Sequence, residues 1–234
     1  MGVSVLTLVL FDGDIISYTS AFHAQASENT QEEAKRKIDS TIRWTLALLD
    51  ATEYKVFLTG KGNFRYEVNK TYKAQRTAPK PSLLPWCREY LRWEWGAVVG
   101  QGEEADDLIA MEAARMNYQG CVIASVDKDF LQVPVPMYNF RKGELTQVSP
   151  EEGIRFFYKQ CIMGDSADGV KGIPGVGPVG AEKALEGVVG EKNLYNTVLR
   201  LYEEHGLSAD DLTSNARLLW LRRKPNEMWK PPNG

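Results

Sequence analysis

Val5-Leu6-Thr7-Leu8-Val9-Leu10-Phe11 is a continuous apolar run that ends abruptly in Asp12-Gly13-Asp14. A strand covered on both faces of a parallel sheet reads this way, because neither face meets water and the alternation of a half-exposed strand disappears. The apolar start as a whole, Val3 to Phe11, lacks a basic flank and a small-residue cleavage site, so it reads as a buried strand and not as a signal peptide. Outward from it, Tyr54 to Leu58 and Cys121 to Ser125 are further strands, and Ala97 to Val99 is a shorter one.

Helices separate these strands. A long one follows the first strand, where Thr30 and Glu33 have capping-box spacing and Ile38, Ile42, Leu46 and Leu49 recur at helical intervals. Thr59 to Arg76 has loop character, and Pro79 and Pro81 punctuate the chain before a helix running to about Trp95. Another helix spans Glu103 to Asn117. Val135 to Phe140 and Leu145 to Val148 flank Arg141-Lys142-Gly143 as a hairpin, and Ser149-Pro150 opens a helix through Met163. Beyond Gly164 a Gly/Pro loop and helices follow, with no further strand. The fold class is therefore α/β, a mostly parallel central sheet flanked by helices with a C-terminal helical module. The expected division is a core over 1–163 and a helical region over 164–234.

At 43% hydrophobic and 25% charged residues, the composition is that of an ordinary globular chain. No apolar run approaches the ~20 residues that span a bilayer. Cys87, Cys121 and Cys161 are too scattered for a disulfide framework or a zinc site, and His23 and His205 are too few for a histidine metal centre. Free thiols point to a reducing, cytoplasmic compartment. The net charge of −3 argues against a nucleic-acid binder only if the acids are spread over the surface.

They are not spread evenly. Asp12 and Asp14 end the first strand; Glu103, Glu104, Asp106 and Asp107 open a helix; Asp127 and Asp129 follow the strand Cys121 to Ser125; Asp165 and Asp168 begin the C-terminal region. Strand C-termini of a parallel sheet lie along one edge, where ligands of α/β folds bind. Gathered carboxylates raise one another's pKa unless a cation compensates, and oxygen-only donors suit Mg2+ or Mn2+. Two such ions ~3.5–4 Å apart can activate a water and stabilise the leaving oxygen of a phosphodiester. Taken singly, acids at a helix start complement the helix dipole, and Asp14 reads as an N-cap.

With these residues in view, the chain resembles the 5′ nuclease superfamily of flap endonucleases and 5′→3′ exonucleases, and in look the compact enzymes of tailed phages. The resemblance is carried by Asp12-Gly13-Asp14, by Glu104-Ala105-Asp106-Asp107, by Ser125 to Asp129, and above all by Met163 to Pro178. Gly62 to Arg65, Tyr72 to Arg76 and the C-terminal N-A-R-L-L-W-L-R add to it. It implies a PIN-like core with a short arch at about 60–96 and a helix–hairpin–helix (H3TH-like) module. It implies metal ligation, direct or through water, by Asp12, Glu104, Asp106, Asp107, Asp127, Asp129, Asp165 and Asp168. Lys73 and Arg76 match basic residues placed near the scissile phosphate, with Tyr72 beside them stacking on a base. The implied partner is DNA with a 5′ end, overhang or flap, or an RNA–DNA hybrid, bound by a monomer. Many members carry a further metal-binding Asp after the second strand; here Leu58-Thr59-Gly60-Lys61-Gly62 stands there, and Gly60 takes its place.

Gly175-Val176-Gly177-Pro178-Val179-Gly180 formally matches a dinucleotide fingerprint, but Ile173-Pro174 and not a strand precedes it. A hairpin whose amides face a DNA phosphate fits better, with Pro178 in the first helical turn and Lys171 and Lys183 as reinforcing cations. The resemblance adds K+ held by turn carbonyls of the hairpin against the duplex backbone, with Gly175, Val176 and Gly177 among the DNA-binding residues. Arg222, Arg223 and Lys224 form another basic group, read as a solvated helix end or a DNA contact. Two alternatives stay open. One is a haloacid-dehalogenase-type phosphatase with Asp12 as nucleophile; the other is a DNA-binding chain whose nuclease site has decayed.

Overall fold

A computed structural model of the chain describes residues 7–27 and 30–232. Val5 and Leu6 of the opening run lie outside the described residues. The chain divides into two compact units, 1–62 with 78–148, and 63–77 with 149–234. The division expected at 163/164 thus falls at 148/149, because the helix Pro150–Met163 puts its apolar face into the C-terminal core. The stretch read as an arch is split between the units.

The first unit is built on strands β1 (Leu8–Asp12), β2 (Glu53–Lys61), β3 (Val98–Gln101), β4 (Cys121–Ala124), β5 (Met137–Asn139) and β6 (Glu144–Thr146), in the order β3-β2-β1-β4-β5-β6. All pairings are parallel except β5 with β6. The hairpin read around Gly143 is present, and its first strand also extends the parallel sheet by pairing with β4. Every residue of β1 is buried, as the apolar run requires.

Helices α1 (Gly13–Gln25), α2 (Gln31–Leu48) and α4 (Leu84–Glu94) pack together, and their core takes in Val9 and Phe11 of β1 and Val56 and Leu58 of β2. Leu10 and Phe57 alternate to the opposite side of the pleat, and α5 (Ala105–Arg115) also packs on β1, β2 and β3. Of α1 the sequence offers only the N-cap expected at Asp14. Its buried positions include Ser17, Ser20, Ala21 and Ala24, small or polar residues that leave almost no apolar stripe to detect. Thr30 caps α2 as read, its hydroxyl accepting from the Glu33 N–H at 3.2 Å.

The second unit joins α3 (Arg65–Val68) to α6 (Pro150–Met163), α7 (Pro178–Leu185), α8 (Glu191–Glu204) and α9 (Ala209–Leu219). Tyr72, Phe157, Tyr158, Val198, Tyr202 and Trp229 are among its core residues. Ser149 caps α6 with Pro150 in the first turn, as the sequence implied. One expectation is corrected: two strands do follow Gly164, the antiparallel pair β7 (Gly164–Asp165) and β8 (Val170–Lys171). At two residues each they are too short for any periodic signal. Arg65 is almost fully buried, its guanidinium donating to the carbonyls of Leu218 at 2.8 Å and Trp220 at 3.0 Å, so the 63–77 segment is fastened to α9.

Candidate active site

In the first unit, Asp12 closes β1 and caps α1. Its Oδ1 accepts from the Ile15 N–H at 3.0 Å and its Oδ2 from the Ser125 hydroxyl at 2.7 Å. The N-cap is therefore Asp12 and not Asp14, the residue read for that role. Ser125, just beyond β4, also accepts from the Asp127 N–H at 3.1 Å, and Asp127 Oδ1 accepts from the Asp129 N–H at 2.9 Å. Because β1 and β4 are neighbours, this chain of bonds sets the acids after β4 beside the end of β1. Only the pairing of β1 with β4 makes Ser125 the link, and no sequence spacing marks it.

Asp12 is 1% exposed, and its carboxyl is pushed up to about 7, first by burial and further by the negative charges of Asp14 and Asp127. A carboxylate so placed is stabilised by a nearby cation. On α5, Glu104 is the N-cap, Asp106 sits in the first turn, and the fully buried Asp107 accepts from the Glu104 N–H at 3.2 Å. The donors at this sheet edge are all oxygens, which fits a hard divalent ion. Among the described residues, however, no group of three or more acidic, His or Cys side chains is already set to hold one. Asp12, Asp107 and Asp127 instead accept from local backbone and hydroxyl donors.

The end of β2 corrects the reading of Gly60. The register between β2 and β3 shifts between Leu58 and Lys61, and a Cβ on Gly60 would stand 1.8 Å from the Gly100 carbonyl oxygen. No side chain fits there. The side chain that reaches the acidic helix is that of Thr59, whose hydroxyl accepts from the Ala105 N–H at 2.9 Å. Gly60→Asp is accordingly expected to lower stability by ~3 kcal/mol through overpacking and backbone displacement, without tightening Mn2+ binding. Urea unfolding and Mn2+ titration measure both; a stable variant with tighter binding would restore Gly60 as the acid's position.

In the second unit, Asp165 lies in β7 and its Oδ1 accepts from the Ala167 N–H at 2.8 Å. Asp168 accepts from the Tyr72 hydroxyl at 2.7 Å, pairs with Lys73 Nζ at 3.6 Å, and bonds the Arg76 guanidinium. The Lys73 N–H donates to the Asp168 carbonyl at 2.9 Å, and Gln75 and Arg76 donate to carbonyls of Ser166 and Ala167. The predicted basic pair is thus brought together with one of the predicted acids. Tyr72 is corrected: at 3% exposure its ring is core, leaving no face for a base, and its hydroxyl anchors Asp168.

Residues 174–180 form the predicted surface turn. Gly175 has φ +79°, the left-handed region, and Gly177 caps α7 with Pro178 in its first turn. Gly175, Gly177, Lys171 and Lys183 are exposed and Val176 is half-buried. Arg222 is not a solvated helix end: it is 5% exposed, with its guanidinium 3.4 Å from the centre of the Phe64 ring.

Residues 7–155 match the family described as 5′-3′ exonuclease, N-terminal resolvase-like domain. The chain belongs to this 5′–3′ exonuclease family. It is 37% identical over 141 residues to DNA polymerase I of Rhizobium leguminosarum, covering 53% of this chain and 14% of the polymerase. It is 27% identical over 214 residues to the 5′-3′ exonuclease of Buchnera aphidicola, covering 83% of this chain and 75% of that protein. The chain therefore spans a small part of the polymerase and most of the stand-alone exonuclease. Its fold matches the bacteriophage T5 flap endonuclease in a pseudo-enzyme-product complex with DNA and metal ions. There the TM-score is 0.70 at 19% identity, over 91% of this chain and 88% of that one. Family and fold class are those the sequence motifs implied. For a 5′–3′ exonuclease-family chain the phosphatase alternative falls away. Among the described residues, no helix is long and apolar enough to cross a membrane.

Proposed function

We propose that this chain is a metal-dependent 5′ nuclease that hydrolyses DNA phosphodiesters from or near a 5′ end, as a 5′→3′ exonuclease, a flap endonuclease or both. The observation that carries the proposal is Asp12, buried at the end of β1 and repelled by Asp14 and Asp127, in a chain of the exonuclease family. In the first unit Asp12, Glu104, Asp106, Asp107, Asp127 and Asp129 would hold divalent ions, Mg2+ or Mn2+, and in the second unit Asp165 and Asp168 are the candidate ligands. When bound, such ions supply an activated water and charge neutralisation at the phosphate.

The protein's own residues do the rest. Lys73 and Arg76 donate to the phosphate oxygens, and Asp168, which they bond in the free protein, holds both until substrate arrives. Tyr72 fixes Asp168 from the core side. The exposed turn at Gly175, Val176 and Gly177, flanked by Lys171 and Lys183, grips the duplex backbone without reading sequence. K+ on the turn carbonyls belongs to the same proposal. So do RNA–DNA hybrid as a second substrate, a monomeric state and a cytoplasmic location.

The test uses 5′-labelled blunt, overhang and flap duplexes with Mg2+, with Mn2+ and with chelator. Metal-dependent cleavage at the 5′ side is expected; mononucleotides from blunt ends identify an exonuclease, and cutting only at the flap junction a structure-specific endonuclease. DNA binding without any metal-dependent cleavage would instead identify a decayed nuclease.

A further inference from the structure

The carboxylate of Asp14, which the sequence motifs leave without a role, meets two residues outside them. Its Oδ2 accepts from the Thr59 N–H at 3.1 Å, and its Oδ1 bonds the guanidinium of Arg88 on α4. The same guanidinium donates to the Thr59 carbonyl. The backbone of Thr59 is thus held on both sides by one ion pair, and its hydroxyl accepts from the Ala105 N–H at 2.9 Å. That amide opens the first turn of α5, whose donors have no partner within the helix. Thr59 therefore caps a helix that begins 46 residues later in the chain.

Four elements meet in this ring of bonds: the start of α1, the end of β2, α4, and the start of α5. Asp14 lies two residues after Asp12, and Ala105 lies between Glu104 and Asp106. Both acid-bearing segments of the unit are consequently tied to Thr59. The ion pair is half-exposed, with side chains 29% and 30% accessible, so its Coulombic contribution to stability is small. Its geometric effect is not small, because Arg88 makes planar contacts with two different segments.

We propose that Asp14, Thr59 and Arg88 are positioning residues that fix the acids of β1 against the acids of α5, doing by hydrogen bonds what a carboxylate after the second strand would do by ligation. The inference rests on the nuclease reading above. Partners bonded directly to ligands are worth about 10- to 100-fold in metal affinity when removed, and these residues act one step further out, through backbone, so the lower end of that range applies.

The experiment measures Mn2+ affinity of the full chain by electron paramagnetic resonance, for the natural protein, Thr59→Val, Thr59→Ser, Arg88→Met and Asp127→Ala/Asp129→Ala. Exchange of the Ala105 amide is followed in the metal-free proteins. Thr59→Val and Arg88→Met are expected to weaken Mn2+ by about tenfold or more. Ala105 should exchange faster in Thr59→Val, and Thr59→Ser should return both readouts to within about twofold, since it keeps the acceptor. Folded Thr59→Val and Arg88→Met proteins with natural Mn2+ affinity would overturn the positioning role and leave the nuclease reading standing. A variant that fails to fold is replaced by the milder Thr59→Ala or Arg88→Lys, read in the same way. If the natural chain and the double alanine variant bind Mn2+ equally, it is the nuclease reading that fails.

Discussion

Replacing Asp127 and Asp129 together by alanine is expected to lower metal-dependent cleavage by about three orders of magnitude, or ~4 kcal/mol of transition-state stabilisation, while DNA affinity stays within a few-fold. The loss is large if these acids help hold the ion that activates the attacking water, because among the described residues no histidine or cysteine is placed to take over that role. Of the two histidines, His23 lies beside Glu33 and His205 is bonded to the Leu201 carbonyl on α8. The three cysteines are buried, and burial pushes each thiol up, Cys87 and Cys121 to about 11. The fold should tolerate the change. Asp127 and Asp129 are half-buried and follow β4 instead of filling the core, and loss of the turn-capping bond to the Asp129 N–H costs ~1 kcal/mol. Single-turnover cleavage of a 5′-labelled duplex at saturating Mg2+, beside a binding titration in chelator, separates the two effects. Cleavage within tenfold of the natural chain would remove these acids from the metal site.

The main framework was legible because its signals are local. β1 and β4 are continuous apolar runs, Thr30 and Ser149 announce their helices, and the acids cluster in sequence at strand ends. What stayed hidden depends on packing across distance. Apart from Ile16, the covered positions of α1 are glycine, serine and alanine, so it carries almost no apolar stripe. Gly60 looked like a vacancy in a ligand set, yet the approach of Gly100 makes it a steric requirement. Tyr72 looked like a stacking platform by its company with Lys73 and Arg76, but its own ring is the part of that segment that enters the core. Thr59, Arg88 and Ser125 are ordinary residue types in unremarkable positions. Their roles follow from partners 46, 74 and 113 residues away, which no spacing rule could supply.

Asp12 makes the acidic edge testable without any substrate. Its carboxyl titrates near 7 in the folded chain against 3.8 in an unfolded one, raised by burial and by Asp14 and Asp127. Between those values the folded protein keeps a proton that the unfolded chain has released. The stabilisation is fully present below pH 4 and is lost as pH rises through about 7. The difference amounts to ~4 kcal/mol, or roughly 10 °C in Tm, for the metal-free protein between pH 4 and pH 8. Glu112 runs the other way: hydrogen bonds from Arg115 and Lys55 hold it down to about 2, so its contribution disappears on acidification below 4.5. Metal-free stability should therefore peak in mild acid and decline towards pH 8. Asp12→Asn stays neutral throughout, can still cap Ile15, and can donate to Ser125 in place of accepting. It is expected to abolish most of the decline and to exceed the natural chain in stability at pH 8 in chelator. Adding Mn2+ at pH 8 should close most of that gap, since binding to the folded state alone adds ~2.7 kcal/mol at a hundredfold excess over Kd, and the asparagine variant forfeits it. Thermal unfolding from pH 4 to 8, with and without Mn2+, reads all four conditions. Equal slopes for the two proteins would mean that Asp12 carries no raised pKa; equal gains from Mn2+ would mean that it holds no ion.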